Sequence, residues 1–175
     1  MMSNLAELRK AAERARNKKA SSGIDLDLDE FLAEPHAPWL EAVSPDQVEP
    51  DDAKVMASVG VHLEGEERSG TYILRDFRTL RLMTKSDDLE LLAIADALRK
   101  YNCLREKYYW KAAPVDLDKY TAKCALALEP RGYFIRVKKG ARVSSPVQAG
   151  FCIGQDNIVQ AVHNIVFSKK TPSST

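Results

Sequence analysis

The stretch GYFIRVKKGARVSSPVQAGFCIGQDNIVQAVHNIVF, residues 132–167, decides how this chain folds. Three pieces of it, GYFIRV (132–137), PVQAGFCI (146–153) and IVQAVHNIVF (158–167), are rich in β-branched and aromatic residues and read as strands. The KKG and GQDN segments between them carry the polar and glycine chemistry of turns. Upstream, TYILRDF (71–77) and TLRLMTK (79–85) read as two further strands or one long bent strand. Residues 87–101 predict a helix, opened by Asp87 with Glu90 and striped by Leu91, Ile94, Ala95, Leu98 and Tyr101. A second helix is expected from a cap at Asp116 to about Leu128, with Leu117, Tyr120, Thr121, Cys124 and Leu128 on its apolar face.

The N-terminal part is helical in pattern but thin in apolar surface. Leu5, Leu8, Ala12 and Ala15 recur at helical intervals over residues 3–20, an alanine-rich face expected to fray or dock weakly. IDLDLDEFL (24–32) alternates apolar and acidic residues, which suits an extended segment pressed against a surface, and Pro35 and Pro38 then forbid a long helix. Residues 44–59 predict one or two short helices, with Ser44 and Gln47 placed like a capping box, Pro45 at a first helical position and Gly60 as the stop.

The 175 residues fit one ordinary domain, and 45% hydrophobic with 29% charged residues is the balance of a globular chain with a real core. No apolar run approaches the roughly 18 residues of a membrane span, and the N-terminus is charged, so a cytoplasmic address is expected. The net charge of +1 conceals two blocks of opposite sign. Arg9, Lys10, Arg14, Arg16, Lys18 and Lys19 stand against Glu7 and Glu13, whereas residues 21–52 hold ten acidic groups and no Lys or Arg. Such blocks pair with each other, with partners, or remain solvated.

Few residues invite a chemical role. Cys103, Cys124 and Cys152 are odd in number and far apart, which argues for reduced thiols; buried structural cysteines are expected, with a metal or cluster carrier as the alternative. Asp25, Asp27 and Asp29 lack the glycine turn and distal Glu of a calcium loop and read as a solvated face. Tyr101, Tyr108, Tyr109 and Trp110 read as packing anchors, or alternatively as a stacking platform beside the basic helix for nucleic acid; that partner is not favoured, because the chain as a whole is not basic. His36 and His62 fall in expected loops, and His163 reads as a structural histidine. There is no phosphate loop, nucleophile elbow or HExxH, so no catalytic or metal-ligating residue is assigned, cofactor-binding residues stay unassigned, and an enzyme is not expected.

The segments YYWKAAPVDLDKYTA (108–122), GYFIRVKKGARVSSPVQAGFCIG (132–154) and QAVHNIVF (160–167) resemble the N-terminal part of the SufB/SufD family, particularly its archaeal members. IDLDLDEF (24–31), SVGVHLEGEERSGTYI (58–73) and ADALRKYNCLREKYYWK (95–111) follow in the same family order, so the likeness runs from about Ile24 to Phe167. The resemblance implies a scaffold component of iron–sulfur cluster assembly, without catalysis of its own and with no cofactor among these residues. The expected fold is α+β: after the basic helix read from its own pattern over 1–23, the resemblance implies an α/β module over 24–130 and, over 131–175, the opening strands of a right-handed parallel β-helix and a polar tail. The expected partners are SufB/SufD-type scaffolds and, indirectly, the SufC ATPase.

Family members continue well beyond the position of Phe167, and the residues they use for cluster assembly lie in that continuation. A truncated module is therefore expected. Solenoid coils take about 20 to 30 residues each, so the final 35 residues of the likeness hold one or two coils and leave an open edge strand suited to self-association or to a scaffold partner. Lys169, Lys170 and Pro172 would restrain runaway addition at that edge.

Overall fold

A computed structural model describes residues 3–32, 48, 50–65 and 67–168 of the chain. Pro35, His36, Pro38, the Ser44 and Gln47 pair, Pro45, Lys169, Lys170 and Pro172 lie outside the described residues. Among those described, the order is α1 (Ser3–Ala15), α2 (Pro50–Ser58), β1 (Gly70–Arg75), β2 (Arg78–Thr84), β3 (Leu89–Ala93), α3 (Ile94–Lys100), α4 (Asn102–Lys107), α5 (Lys119–Leu126), β4 (Tyr133–Val137), β5 (Val147–Cys152) and β6 (Ile165–Phe167). The fold is mixed α+β, with two small sheets ordered β2-β1-β5 and β3-β4-β6.

Period-two alternation assigns each strand residue to a layer. In β1, Tyr72 and Leu74 face inward and pack with Leu89, Leu91 and Ile135 of the other sheet, while Ile73 turns outward to Met56 of α2 and Leu80 of β2. In β4, Ile135 joins the layer between the sheets, and Phe134 turns the other way into the helices. The molecule is thus layered as α2, sheet, sheet, helices. The helix-side core gathers Ile94, Ala97, Leu98, Leu104, Trp110, Ala122, Phe134 and Ile165. The alanine face of α1 docks closely, since Ala12 and Ala15 are fully buried, and small side chains let the helix approach α5.

The β1–β2 hairpin turns through Asp76 at φ 52°, a left-handed conformation that Asp tolerates better than bulkier residues. The Asp76 carboxylate accepts from the Gly154 amide at 2.7 Å, tying the hairpin to the end of β5.

Four expectations require correction. The helix over 87–101 begins only at Ile94; Leu89 and Leu91 share one buried face and Glu90 the other, a strand alternation that pairs antiparallel with β4 from Leu89↔Val137 to Ala93↔Tyr133. Its stripe was read at period 3.6 because the strand and helix run together without a breaking residue. The cap of α5 is Asp118 rather than Asp116: its carboxylate accepts from the Thr121 amide at 2.9 Å and the Thr121 hydroxyl returns to the Asp118 amide. Leu117 and Leu128 are exposed, and Ala122 carries the buried face of α5. The expected strand over 158–167 is regular only at Ile165–Phe167, with single parallel bridges from Ile158 to Leu32 and from Val162 to Arg131.

Candidate interaction site

β5 pairs parallel with β1, from Gly70↔Val147 to Arg75↔Cys152. β6 pairs parallel with β4, from Phe134↔Ile165 to Arg136↔Phe167, so the chain leaves one sheet at β4, crosses to the other at β5 and returns beside its starting point at β6. β2 and β3 sit together at one end of the two sheets, which places β5 and β6 at the opposite end. Among the described residues each has a strand partner on one side only. The layer between the sheets also opens there. The Phe151 ring packs at 6.1 Å from Tyr72 and 6.2 Å from Tyr133 yet stays 41% exposed, and Val166 of β6 is 63% exposed. Unpaired backbone and apolar side chains at one end are the components of a strand-addition site.

Two polar devices hold that end in shape. Gln160 donates from Nε2 to the Cys152 carbonyl at 2.7 Å and to the Asp76 carbonyl at 3.1 Å, fixing the β5–β6 connection to the β1–β2 turn. Gly132, at φ 120°, lies so near the segment before β6 that a Cβ would stand 2.4 Å from the His163 carbonyl oxygen. A side chain there would part β4 from that segment.

The residues singled out by sequence are dispersed. Cys103 is exposed on α4; Cys124 is half-buried on α5 with Sγ 3.5 Å from the Val162 carbonyl; Cys152 ends β5 against Ile73 and Met56. Burial pushes the Cys124 thiol up to about 11 and raises that of Cys152, so neither is a ready thiolate. Asp25 pairs with Lys119 at 2.6 Å, a contact that lowers its pKa, and Asp27 instead caps the short 3-10 turn Leu28–Glu30 that interrupts the expected extended segment. No group of three metal-ligating side chains occurs among the described residues.

The aromatic cluster faces inward except at Tyr108, which is exposed. Tyr109 and Trp110 are buried, with their rings 4.8 Å and 4.6 Å from that of His163, whose pKa burial lowers. The Tyr101 hydroxyl donates to Glu90, and Tyr108 sets its edge on Phe167 of β6 at 5.3 Å. These rings pack among the helices and against the segment before β6, and offer no row of open faces to stacked bases. Of the basic run, Lys18 donates to the Asp116 carbonyl and Arg16 lies 3.9 Å from Glu13.

Sequence reasoning misses Asp118 and places Glu90 at a helix start, whereas it stands in β3. Asp118 also accepts from the Ser21 amide at 3.0 Å and hydroxyl at 2.7 Å; burial would raise its carboxyl, but these bonds and those from Thr121 bring it down to about 2. The spacing of Asp118 and Thr121 was its available signal. Burial likewise works against the charged form of Glu90, and Lys100, Tyr101 and Arg136 outweigh it and lower its pKa.

No family model matches the chain. It is 40% identical over 169 residues, 95% of its length, to an iron-sulfur cluster assembly SufBD family protein of Methanothermobacter thermautotrophicus strain Delta H. A homolog from strain Winter of the same organism is 38% identical over the same extent. The chain belongs to the SufBD family. A SufBD family protein of Archaeoglobus fulgidus is 32% identical over 68% of the chain. The SufBD chain spans 41% of the length of the two Methanothermobacter relatives and 31% of the Archaeoglobus one. No helix among its described residues is long and apolar enough to cross a membrane.

Proposed function

We propose that this SufBD chain serves iron–sulfur cluster assembly as a non-catalytic scaffold module. Its β4, β5 and β6 form the first coil of a right-handed parallel β-helix, and its open end takes up a further strand from a SufB/SufD-type protein or a second copy. The observation that carries the reading is the return of the chain from β4 through β5 to β6, in parallel and in alternating sheets, with outer edges unpaired among the described residues. Strand 165 lies beside strand 134, an offset of 31 residues, close to the roughly 20 to 30 of a solenoid coil. SufC would be engaged indirectly, through the scaffold partner.

The test is co-purification of the tagged chain with a SufB/SufD-type protein and SufC from a common extract, with sedimentation of the isolated chain. Retention of Suf components or self-association is expected. Val166→Lys, which puts a charge on the exposed strand without disturbing buried Ile165, should reduce either by about tenfold while leaving the circular dichroism spectrum unchanged. A strict monomer that retains no Suf component would remove the proposal.

A further inference from the structure

A groove of about 510 Å³ lies on the helical side, with neither β5 nor β6 in its lining, and nothing described above uses it. α1 contributes Leu5, Ala6, Leu8 and Arg9, α3 contributes Ala95 and Leu98, and α5 with the segment leaving it contributes Ala125, Ala127 and Leu128, with Tyr109 and Trp110 also in the lining. Small alanine side chains on three sides allow close approach of another backbone. Leu5 and Leu128 project at its rim, 44% and 78% exposed.

The charges at this groove have one sign to offer. Arg9 on α1 makes no ion pair among the described residues, and neither does Arg105, whose Nε is buried without a hydrogen-bond acceptor. Arg99, also in the lining, already takes up both nearby carboxylates, Asp96 at 2.7 Å and Glu129 at 4.0 Å. An apolar trough flanked by two uncompensated guanidinium groups favours a visitor that combines an apolar stripe with carboxylates, because each carboxylate gains a charge-assisted bond as the stripe is buried. An open trough between helices fits a helix laid along it.

We propose that this groove is a docking site for an acidic amphipathic helix of a partner protein, with Leu5, Leu8, Trp110 and Leu128 taking its apolar stripe and Arg9 and Arg105 its carboxylates. This site does not rest on the strand-edge reading and would stand if that reading failed.

The probe is a fluorescein-labelled peptide of about 16 residues with leucine at helical spacing and glutamate elsewhere, compared by anisotropy with a lysine counterpart of the same stripe. The full chain is expected to bind the acidic peptide at least about tenfold more tightly than the basic one, with the preference weakening at high salt. Arg9→Glu combined with Leu128→Asp, both at exposed positions, should abolish that preference while the circular dichroism spectrum and melting temperature stay near wild type. Val166→Lys, on the exposed strand and outside the groove lining, should leave it intact. Equal binding of the two peptides, absence of binding by either, or a preference that survives the double variant would overturn the proposal.

Discussion

Asp118→Asn tests how the N-terminal segment is held to the helices. The wild-type carboxylate accepts from the Thr121 amide at 2.9 Å and from the Ser21 amide and hydroxyl at 3.0 and 2.7 Å, so one side chain caps α5 and anchors the chain ninety-seven residues away. Its carboxyl is held at about 2, below the ~3.9 of an unfolded Asp. A group depressed on folding contributes stability that is complete above the unfolded value and is lost as pH falls through the folded one. The ceiling is about 2.6 kcal/mol at neutral pH, which solvent near this helix end should reduce to about 1–2 kcal/mol. Asn caps helices about as well as Asp, so the substitution removes chiefly the charge. Urea unfolding followed by circular dichroism should show the variant less stable by about 1–2 kcal/mol near pH 7 and by about half that near pH 3. A difference that is absent near pH 7, or that does not shrink on acidification, would refute the reasoning.

Three further outcomes are expected. Gly132→Ala should lower stability by about 2–3 kcal/mol in thermal melts, because the new methyl meets the His163 carbonyl and alanine is strained at φ 120°; a change below about 0.5 kcal/mol would show that the β4 and β6 segments part without cost. Phe134→Ala, at a 2% exposed residue between the sheet and the helices, should cost about 3–5 kcal/mol by chemical denaturation. With a thiol reagent near pH 8, exposed Cys103 should react first and Cys124, held at about 11, at least about tenfold more slowly; equal rates would contradict the burial of Cys124.

The strands of this fold are legible where β-branched and aromatic residues concentrate. GTYILR and YFIRV announce themselves by that composition, since both faces of each are apolar: Tyr72 and Leu74 face one way and Ile73 the other, Ile135 one way and Phe134 the other. Residues 89–100 were misread for a physical reason: LELLA and IADALRK are joined without glycine or proline, and five residues of strand supply enough leucines to extend a helical stripe. What selects strand there is the antiparallel partner β4, forty residues downstream, which no local window contains. The same limit governs the candidate site. That residues 165–167 would be an edge was inferable from the family resemblance, but its exposure depends on β5 occupying the other sheet, a choice written in pairings between Gly70 and Val147 rather than in any motif.

The charge blocks show the limit from the other side. Their composition is plain in the sequence, but it leaves open whether the blocks pair with each other, pair with partners or stay solvated. In the fold the acidic segment crosses α5: Lys119 takes Asp25, Lys123 donates to the Leu28 carbonyl at 2.9 Å, and the Tyr120 hydroxyl donates to the Ile24 carbonyl at 2.5 Å. Of the apolar residues in 24–28 only Leu28 is buried, while Ile24 is 77% exposed, so this segment is held by polar contacts rather than by burial. Contacts of that kind at a surface are each worth about 0–1 kcal/mol and weaken with salt. Among the described residues these lysines of α5, and not Arg9 of α1, meet the acidic segment, and Arg9 lines the groove on the helical side instead.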